Sequence, residues 1–307
     1  MIIDMHAHIC DMRSPNNMAC APLTAENLVE RLDADGIDKA AVLPWAVCPE
    51  GVTFQMLFAP EQDVVGQIRA AARHPDRLIL FGNADPRWGG NLPDTDFSWL
   101  LERFVEMGCV GMGEVSANIY FDDPRTINLF RQCGKWKLPV TIESTGPGSG
   151  GYGFIDDVGS PRFERLLRAA PDTIIIGHGP GFWAEIAGGL TPEAKSGYPA
   201  GPVSEEGSIQ RLFRTYPNLY ADISARSGYN ALTRDSEYGV RFIDEFQDRL
   251  LFATDVCYAD ADELARTGQL ALMKRLLAEG GIAQAVFDKI TCKNALRLLR
   301  RYGRAYT

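Results

Sequence analysis

The chain has 307 residues, 46% hydrophobic and 23% charged, with a formal net charge of -9 and a pI near 5.1. That composition supplies a full apolar core and argues against long disorder, and an acidic chain without a Lys/Arg run gives no electrostatic support to nucleic-acid binding. Seven scattered cysteines (Cys10, Cys20, Cys48, Cys109, Cys133, Cys257, Cys292) without a C-x-x-C pair argue against a disulfide framework or a structural zinc site.

The first nine residues, Met1-Ile2-Ile3-Asp4-Met5-His6-Ala7-His8-Ile9, read as a strand ending in His-x-His. Side chains two apart on a strand share a face, so His6 and His8 project together and can bind one divalent cation, with Zn–N distances of about 2.0–2.1 Å. No basic n-region precedes this run, and Asp4, His6 and His8 interrupt it, so it does not read as a signal peptide. No apolar run approaches the length of a membrane span, and a soluble cytoplasmic protein is expected.

Strand-like and helical patterns then alternate. Helical Ala25–Ala34 stops at Gly36 and is followed by a second strand, Lys39–Leu43. Helical Val64–Arg73 leads through His74-Pro75 to the third strand, Leu78–Asn83. Helical Trp99–Met107 ends at Gly108 before the fourth, Cys109–Glu114, and helical Pro124–Trp136 precedes the fifth, Leu138–Ile142. Helical Pro161–Ala169 precedes the sixth strand, Thr173–Ile176, and helical Ser208–Thr215 the seventh, Leu219–Ile223. Helical Tyr238–Phe246 precedes the eighth strand, Leu250–Ala253, and helical stretches near Leu270–Ala278 and Cys292–Tyr302 close the chain.

Eight strands alternating with helices predict a single (β/α)8 barrel domain over residues 1–307. A doubly wound open sheet competes, but no G-x-G-x-x-G follows a strand. Two Gly- and Pro-rich connections, Ser144–Pro161 after strand five and Gly179–Gly207 after strand six, belong at the C-terminal face, where barrels place active sites. They read as substrate loops or lids, or as tolerated insertions. Neither ends in G-K-[ST], so neither is a phosphate loop.

Of the four histidines, His6, His8 and His178 fall at strand ends. The fourth, His74, ends a helix, where a cation suits the dipole. Carboxylates also end strands: Glu114 on the fourth, Glu143 after the fifth and Asp255 on the eighth. One such carboxylate commonly caps the next helix. A barrel delivers all six metal-capable groups to one rim.

His6-Ala7-His8, Gly177-His178-Gly179 and Ala253-Thr254-Asp255, taken in order, resemble the amidohydrolase superfamily. The likeness is closest to its amidohydrolase-related branch, which includes aminocarboxymuconate-semialdehyde decarboxylase-like enzymes, and Lys293-Asn294-Ala295-Leu296-Arg297-Leu298 is similar to that branch's closing helix. The resemblance implies one or two divalent metals at the mouth of a distorted barrel. It makes His6 and His8 ligands and Asp255 a ligand that also takes a proton from activated water. His178 would bind metal or act as an acid/base and polarising group. The family usually has a histidine after the fifth strand, where this chain has Glu143. Glu143 is expected to replace it as a ligand, leaving a less Lewis-acidic site that takes Zn²⁺, with Mn²⁺ or Fe²⁺ also compatible. The alternative is that the substitution marks a weakened or dead site. Glu114 stands where binuclear members have a bridging modified lysine, and could bridge two metals or orient a ligand. With three rim histidines, one metal is the more economical expectation.

Arg87 after the third strand and Arg226 after the seventh could clamp a substrate carboxylate or phosphate, or form surface ion pairs, the commoner fate of an arginine. Trp45, Trp88, Phe182, Trp183 and Tyr229 could wall an apolar or ring-shaped substrate, or serve packing alone. Ser144, Ser160 and Ser224 have no histidine partner evident in sequence, and no G-x-S-x-G occurs, which disfavours a serine hydrolase. The reading reached is a metal-dependent hydrolase attacking a carbonyl-type bond of a small molecule through metal-activated water, with Asp255 handling the proton and His178 the developing charge or leaving group. A metal-dependent, non-oxidative decarboxylase of an aromatic or unsaturated acid is the runner-up, and a degenerate barrel acting as a binding protein the third reading. A homodimer is the expected assembly.

Overall fold

The computed structural model describes residues 1–9, 12–13, 21–46, 59–60, 63–148 and 152–300. Cys10, Cys20, Cys48 and the end of the predicted closing helix lie outside them. Among the described residues no helix is long and apolar enough to cross a membrane.

Eight short parallel strands form the centre: β1 Ile3–Ala7, β2 Lys39–Val42, β3 Leu78–Leu80, β4 Met112–Val115, β5 Val140–Ile142, β6 Ile175–Gly177, β7 Leu219–Asp222 and β8 Leu250–Leu251. Three pair in the order β1-β2-β3 and five in the order β8-β7-β6-β5-β4. Registers such as Ala41↔Ile79, Ile175↔Val140 and Asp222↔Leu251 fix the pairing. Backbone bonds also cross both seams. Gly82 N donates to Gly111 O at 2.9 Å and Gly113 N to Gly82 O at 2.8 Å. On the other side Met5 N donates to Phe252 O at 3.0 Å and His8 N to Val256 O at 2.9 Å. The two sheets therefore join into the predicted α/β barrel, without free edges between them.

Side-chain alternation sorts the core into two layers. Ile3, Met5, Ala41, Leu43, Ile79, Phe81, Val110, Ile174, Ile176, Tyr220, Leu251 and Ala253 pack together, and Ala295, Leu298 and Leu299 of the last helix join them. Ala7, Ala40, Val42, Met112, Val140, Ile142, Ile175, Leu219 and Ala221 instead belong to the layer packed against the surrounding helices. The helices follow their sequence signals. Thr24 accepts a bond from Asn27 N to cap Ala25–Asp35, which buries Leu28 and Leu32 and ends at Gly36 in the left-handed region (φ 71).

Three elements differ from the sequence reading. A helix at Ala225–Thr233 follows β7 directly, although Ser227, Gly228 and Asn230 weaken its propensity, because it buries Gly228, Ala231 and Leu232. The loop after β5 holds a two-strand parallel ladder, Ser144–Thr145 with Phe154–Ile155. The loop after β6 holds short helices at Pro180–Trp183 and Pro192–Lys195.

Candidate metal centre

His6 and His8 reach the mouth through an irregularity in β1. Ile3 and Met5 face the inner layer while Ala7 faces the helices, and the β1–β2 register shifts between Asp4 and Ala7. Such a shift re-aims the side chains beyond it. Asp4, fully buried, braces the turn: its carboxylate accepts from His6 N and Thr254 N, each at 3.0 Å, and from Thr254 Oγ1 at 2.6 Å. This ties the His-x-His segment to the residue preceding Asp255, which itself adopts a left-handed φ of 61.

The imidazole Nε2 atoms of His6 and His8 face each other at 3.1 Å. His8 Nδ1 lies 2.7 Å from Leu43 O, an acceptor only, so this nitrogen carries the proton. His6 Nδ1 lies 2.9 Å from Asp222 Oδ2, which also demands a donor. In neutral rings both Nε2 atoms then present lone pairs to one another, an arrangement that a shared cation resolves.

Asp255 Oδ1 lies 3.2 Å from His8 Nε2 and 3.5 Å from His6 Nε2, and Glu114 Oε2 lies 3.7 and 3.8 Å from the same atoms. Four donors with bonds of about 2.0–2.2 Å around a tetrahedral cation stand about 3.3–3.6 Å apart. His178 Nε2 adjoins them, 3.6 Å from Glu143 Oε2, 3.7 Å from Asp255 Oδ2 and 3.8 Å from Glu114 Oε1. All six sequence-predicted metal groups thus come together. Glu114 Oε1 is buried without a hydrogen-bond donor among the described residues, an expensive state for a carboxylate that a cation would relieve. The residues present fit a divalent cation on these grounds.

Electrostatics agree with the geometry. Burial pushes Glu143 up to about 7, and burial together with the Glu143 charge holds Glu114 well above the carboxylate range. Burial would lower the His178 imidazole, but the charges of Asp222, Asp255 and Glu143 hold it well above its ordinary value. Glu143 accepts a bond from Ser144 N at 2.9 Å, and Gly179 leaves it room: a Cβ there would stand 1.9 Å from Glu143 Oε1.

Asp222, which sequence reading left without a role, organises the histidines. Its Oδ2 receives His6 Nδ1 and its Oδ1 receives His178 Nδ1, both at 2.9 Å. Burial alone would raise this carboxyl, yet His178 and His6 hold it well below the usual range. Such carboxylate–histidine pairs fix ring orientation and tautomer. Ser224 does have a histidine partner: its Oγ donates to Asp222 Oδ1 at 2.5 Å and lies 3.0 Å from His178 Nδ1. Fully buried and spent on those bonds, it positions His178 and is not an exposed nucleophile. Trp183 Nε1 donates to Asp222 O at 3.0 Å.

The remaining candidates are placed differently. Trp45 is buried and stacks on His8 with centroids 4.3 Å apart, so it backs a ligand. Tyr229 is half-buried on Ala225–Thr233 and packs against the core. Arg87 is held in a buried pair: its Nε and Nη2 both donate to the Asp85 carboxylate, at 2.8 and 2.6 Å. Arg226 is exposed and pairs with Asp262 at 2.5 Å. His74 lies 3.6 Å from Glu26, away from the cluster.

The family model described as Amidohydrolase matches residues 3–301. No curated protein matches the chain. Among solved structures, an uncharacterised TIM-barrel protein from Bordetella bronchiseptica superposes with a TM-score of 0.62 at 18% identity, covering 99% of each chain. A probable 2-pyrone-4,6-dicarboxylic acid hydrolase from Acinetobacter baumannii gives 0.56 at 13% identity, covering 97% of this chain and 99% of its own. A dihydroxybenzoic acid decarboxylase from Polaromonas sp. JS666, solved with manganese and an inhibitor, gives 0.54 at 16% identity, covering 99% and 98%. At these identities the likeness is one of fold.

Proposed function

The chain belongs to the amidohydrolase family, and from that premise we propose that it is a metal-dependent hydrolase acting on a carbonyl-type bond of a small molecule. The observation that carries this reading is the convergence of the His6 and His8 Nε2 atoms with one oxygen of Asp255 and one of Glu114, each carboxylate oxygen within 3.8 Å of both imidazoles. A divalent cation bound there lowers the pKa of a coordinated water and polarises the scissile bond.

The chain's own residues supply the rest. Asp255 is the most open of the six, its side chain 21% exposed against 5% or less for the others, so it faces incoming water and can accept its proton. His178, held at Nδ1 by Asp222 and Ser224, directs Nε2 toward the Glu114, Glu143 and Asp255 carboxylates and can donate to the developing oxyanion or leaving group. Glu143 and Glu114 complete the anionic wall. The full ligand complement argues against the degenerate-barrel alternative.

Decarboxylation is the second reading, motivated by decarboxylases among proteins of similar fold. It asks for an arginine on the substrate carboxylate: Arg87 is held in a buried pair with Asp85, whereas Arg226 is tied to Asp262 only by an exposed pair. Metal content by elemental analysis, with Asp255→Asn as control, tests the common premise. About one equivalent or more of a transition metal, falling in the variant, supports it; metal-free, folded protein that rejects added Zn²⁺ and Mn²⁺ refutes it. A screen of esters, amides, lactones and carboxylic acids then separates the readings: water consumed into two fragments supports hydrolysis, carbon dioxide release supports decarboxylation.

A further inference from the structure

We propose that Cys257 is a further ligand of the metal centre, a thiolate on its open side that biases the site toward thiophilic cations. The inference rests on the metal-binding reading above. Ala7 bridges Val256 in parallel across the β1/β8 seam, with Asp255 N donating to His6 O at 2.8 Å on one side and His8 N to Val256 O at 2.9 Å on the other. Ala7 and Val256 both belong to the outer layer packed against the helices. Asp255-Val256-Cys257, in the segment that follows β8, is thereby laid beside His6-Ala7-His8 of the first strand, and the seam carries four ligand-type residues flanking the bridge.

The atoms follow the register. Cys257 Sγ, a ring nitrogen of His8 and a carboxylate oxygen of Asp255 all lie within 4.8 Å of one another. Sγ sits 3.4 Å from Asp255 O and 3.7 Å from Asp255 Oδ1, so the thiol turns back to the cluster instead of out to solvent. Glu114 Oε1, buried and without a donor among the described residues, lies 3.8 Å from His178 Nε2 in the same cluster and independently marks that cluster as made for a cation. Cys257 is half-buried where His6 and His8 are sealed, which puts it on the face a water or substrate would approach. On binding, the thiol gives its proton to solvent and the sulfur donates a lone pair to the cation; no oxidant is involved. Thiolate favours Zn²⁺, Co²⁺ and Cd²⁺ over Mn²⁺, against the bias of the surrounding carboxylates.

The test is the ultraviolet absorption of the full chain loaded with Co²⁺ alone, with bound cobalt measured in parallel. A thiolate-to-cobalt charge-transfer band is expected in the unaltered protein. In Cys257→Ser it is lost while cobalt is retained, and affinity for Cd²⁺ falls about tenfold or more with Mn²⁺ affinity changed less than about threefold. Bound cobalt without the band in the unaltered protein overturns the proposal and leaves the metal-centre reading standing, and this measurement needs no variant to fold. A band that persists in Cys257→Ser assigns the sulfur to another cysteine and equally overturns it. Failure to bind any of the three cations removes the metal-centre reading itself, and this inference with it.

Discussion

Two buried charge clusters lie within the mouth loops and strand ends, and they are built on opposite plans. Lys195 and Glu185, 1% and 2% exposed, pair at 2.8 Å. Lys195 Nζ also donates to Gly181 O at 3.2 Å, while Glu185 further accepts from Gly159 N at 2.8 Å and Ser208 Oγ at 2.9 Å. Opposite charges cancel, both ends of the pair are served, and the cluster ties the loop after β5 to the loop after β6. Among the described residues the cluster of His6, His8, Glu114, Glu143, His178 and Asp255 has no lysine or arginine as a close ion-pair partner, and Glu114 Oε1 has no donor. A buried charge set that completes itself is structural; one left anionic and incomplete calls for a cation.

The largest expected effect breaks the self-sufficient cluster. Lys195→Ala strands Glu185 in the interior and should cost about 3–5 kcal/mol of stability, read from the denaturant midpoint. Lys195→Met with Glu185→Leu removes both charges and should recover most of that loss. Glu114→Gln is the opposite case: burial and the neighbouring Glu143 force the Glu114 carboxyl to stay protonated in chelated protein, so an amide that needs no proton should raise stability at neutral pH, while metal affinity drops. If Glu114→Gln destabilises chelated protein as Lys195→Ala does, the two clusters are alike and the contrast fails.

Next in size is the response to metal and pH. Saturating cation at 100 times its Kd should stabilise chelated protein by about 2.7 kcal/mol, seen as a raised Tm. Without metal, Glu143 titrates near 7 against an unfolded value near 4.5, so the folded chain binds more protons across that window. Stability due to this group is therefore lost as pH rises from about 5 to 7 and beyond. His178, held above its ordinary value by its anionic neighbours, acts in the same direction: its contribution fades as pH rises through its folded pKa. A chelated protein whose midpoint rises between pH 5 and 8 would contradict the assignment, whereas bound metal should flatten or reverse the slope.

Periodicity and chain punctuation made the barrel legible: all eight strands, the Gly36 stop and the six rim groups follow from local patterns. What local pattern cannot show is which distant side chains meet. Asp222 sits 216 residues from His6 and 44 from His178, and nothing in Leu219–Ile223 distinguishes it from any strand-end carboxylate. Nor does local pattern show that Arg87 pairs with Asp85, two residues before it in the chain. The placement of Cys257 beside the histidines likewise depends on the register of Val256 with Ala7, far apart in sequence.

Asp222→Asn sharpens the contrast from the side of orientation. An amide can still accept from one imidazole but cannot serve both, so His6 or His178 loses its tether. Metal affinity should fall about 10–100-fold, measured by competition with a chromophoric chelator, while the fold is kept. A change below threefold would mean that strand geometry alone aims the histidines.

The smallest effect belongs to Arg226, and its smallness is informative. Its pair with Asp262 joins side chains 58% and 55% exposed, where solvent screens the attraction and ordering two long side chains costs entropy. Arg226→Ala should therefore move stability by less than about 1 kcal/mol and leave metal content unchanged. Because the pair is so weak, a carboxylate substrate arriving at the mouth could draw the guanidinium away from Asp262 at little cost, which the buried Arg87–Asp85 pair cannot match. Once a substrate is found, a raised KM with unaltered kcat in Arg226→Ala would restore the binding role its position after β7 suggested, and would reopen the decarboxylase reading. An unchanged KM toward carboxylate-bearing substrates would leave the anionic wall of Glu114, Glu143 and Asp255 selecting against such groups, as a hydrolase of neutral carbonyl compounds requires.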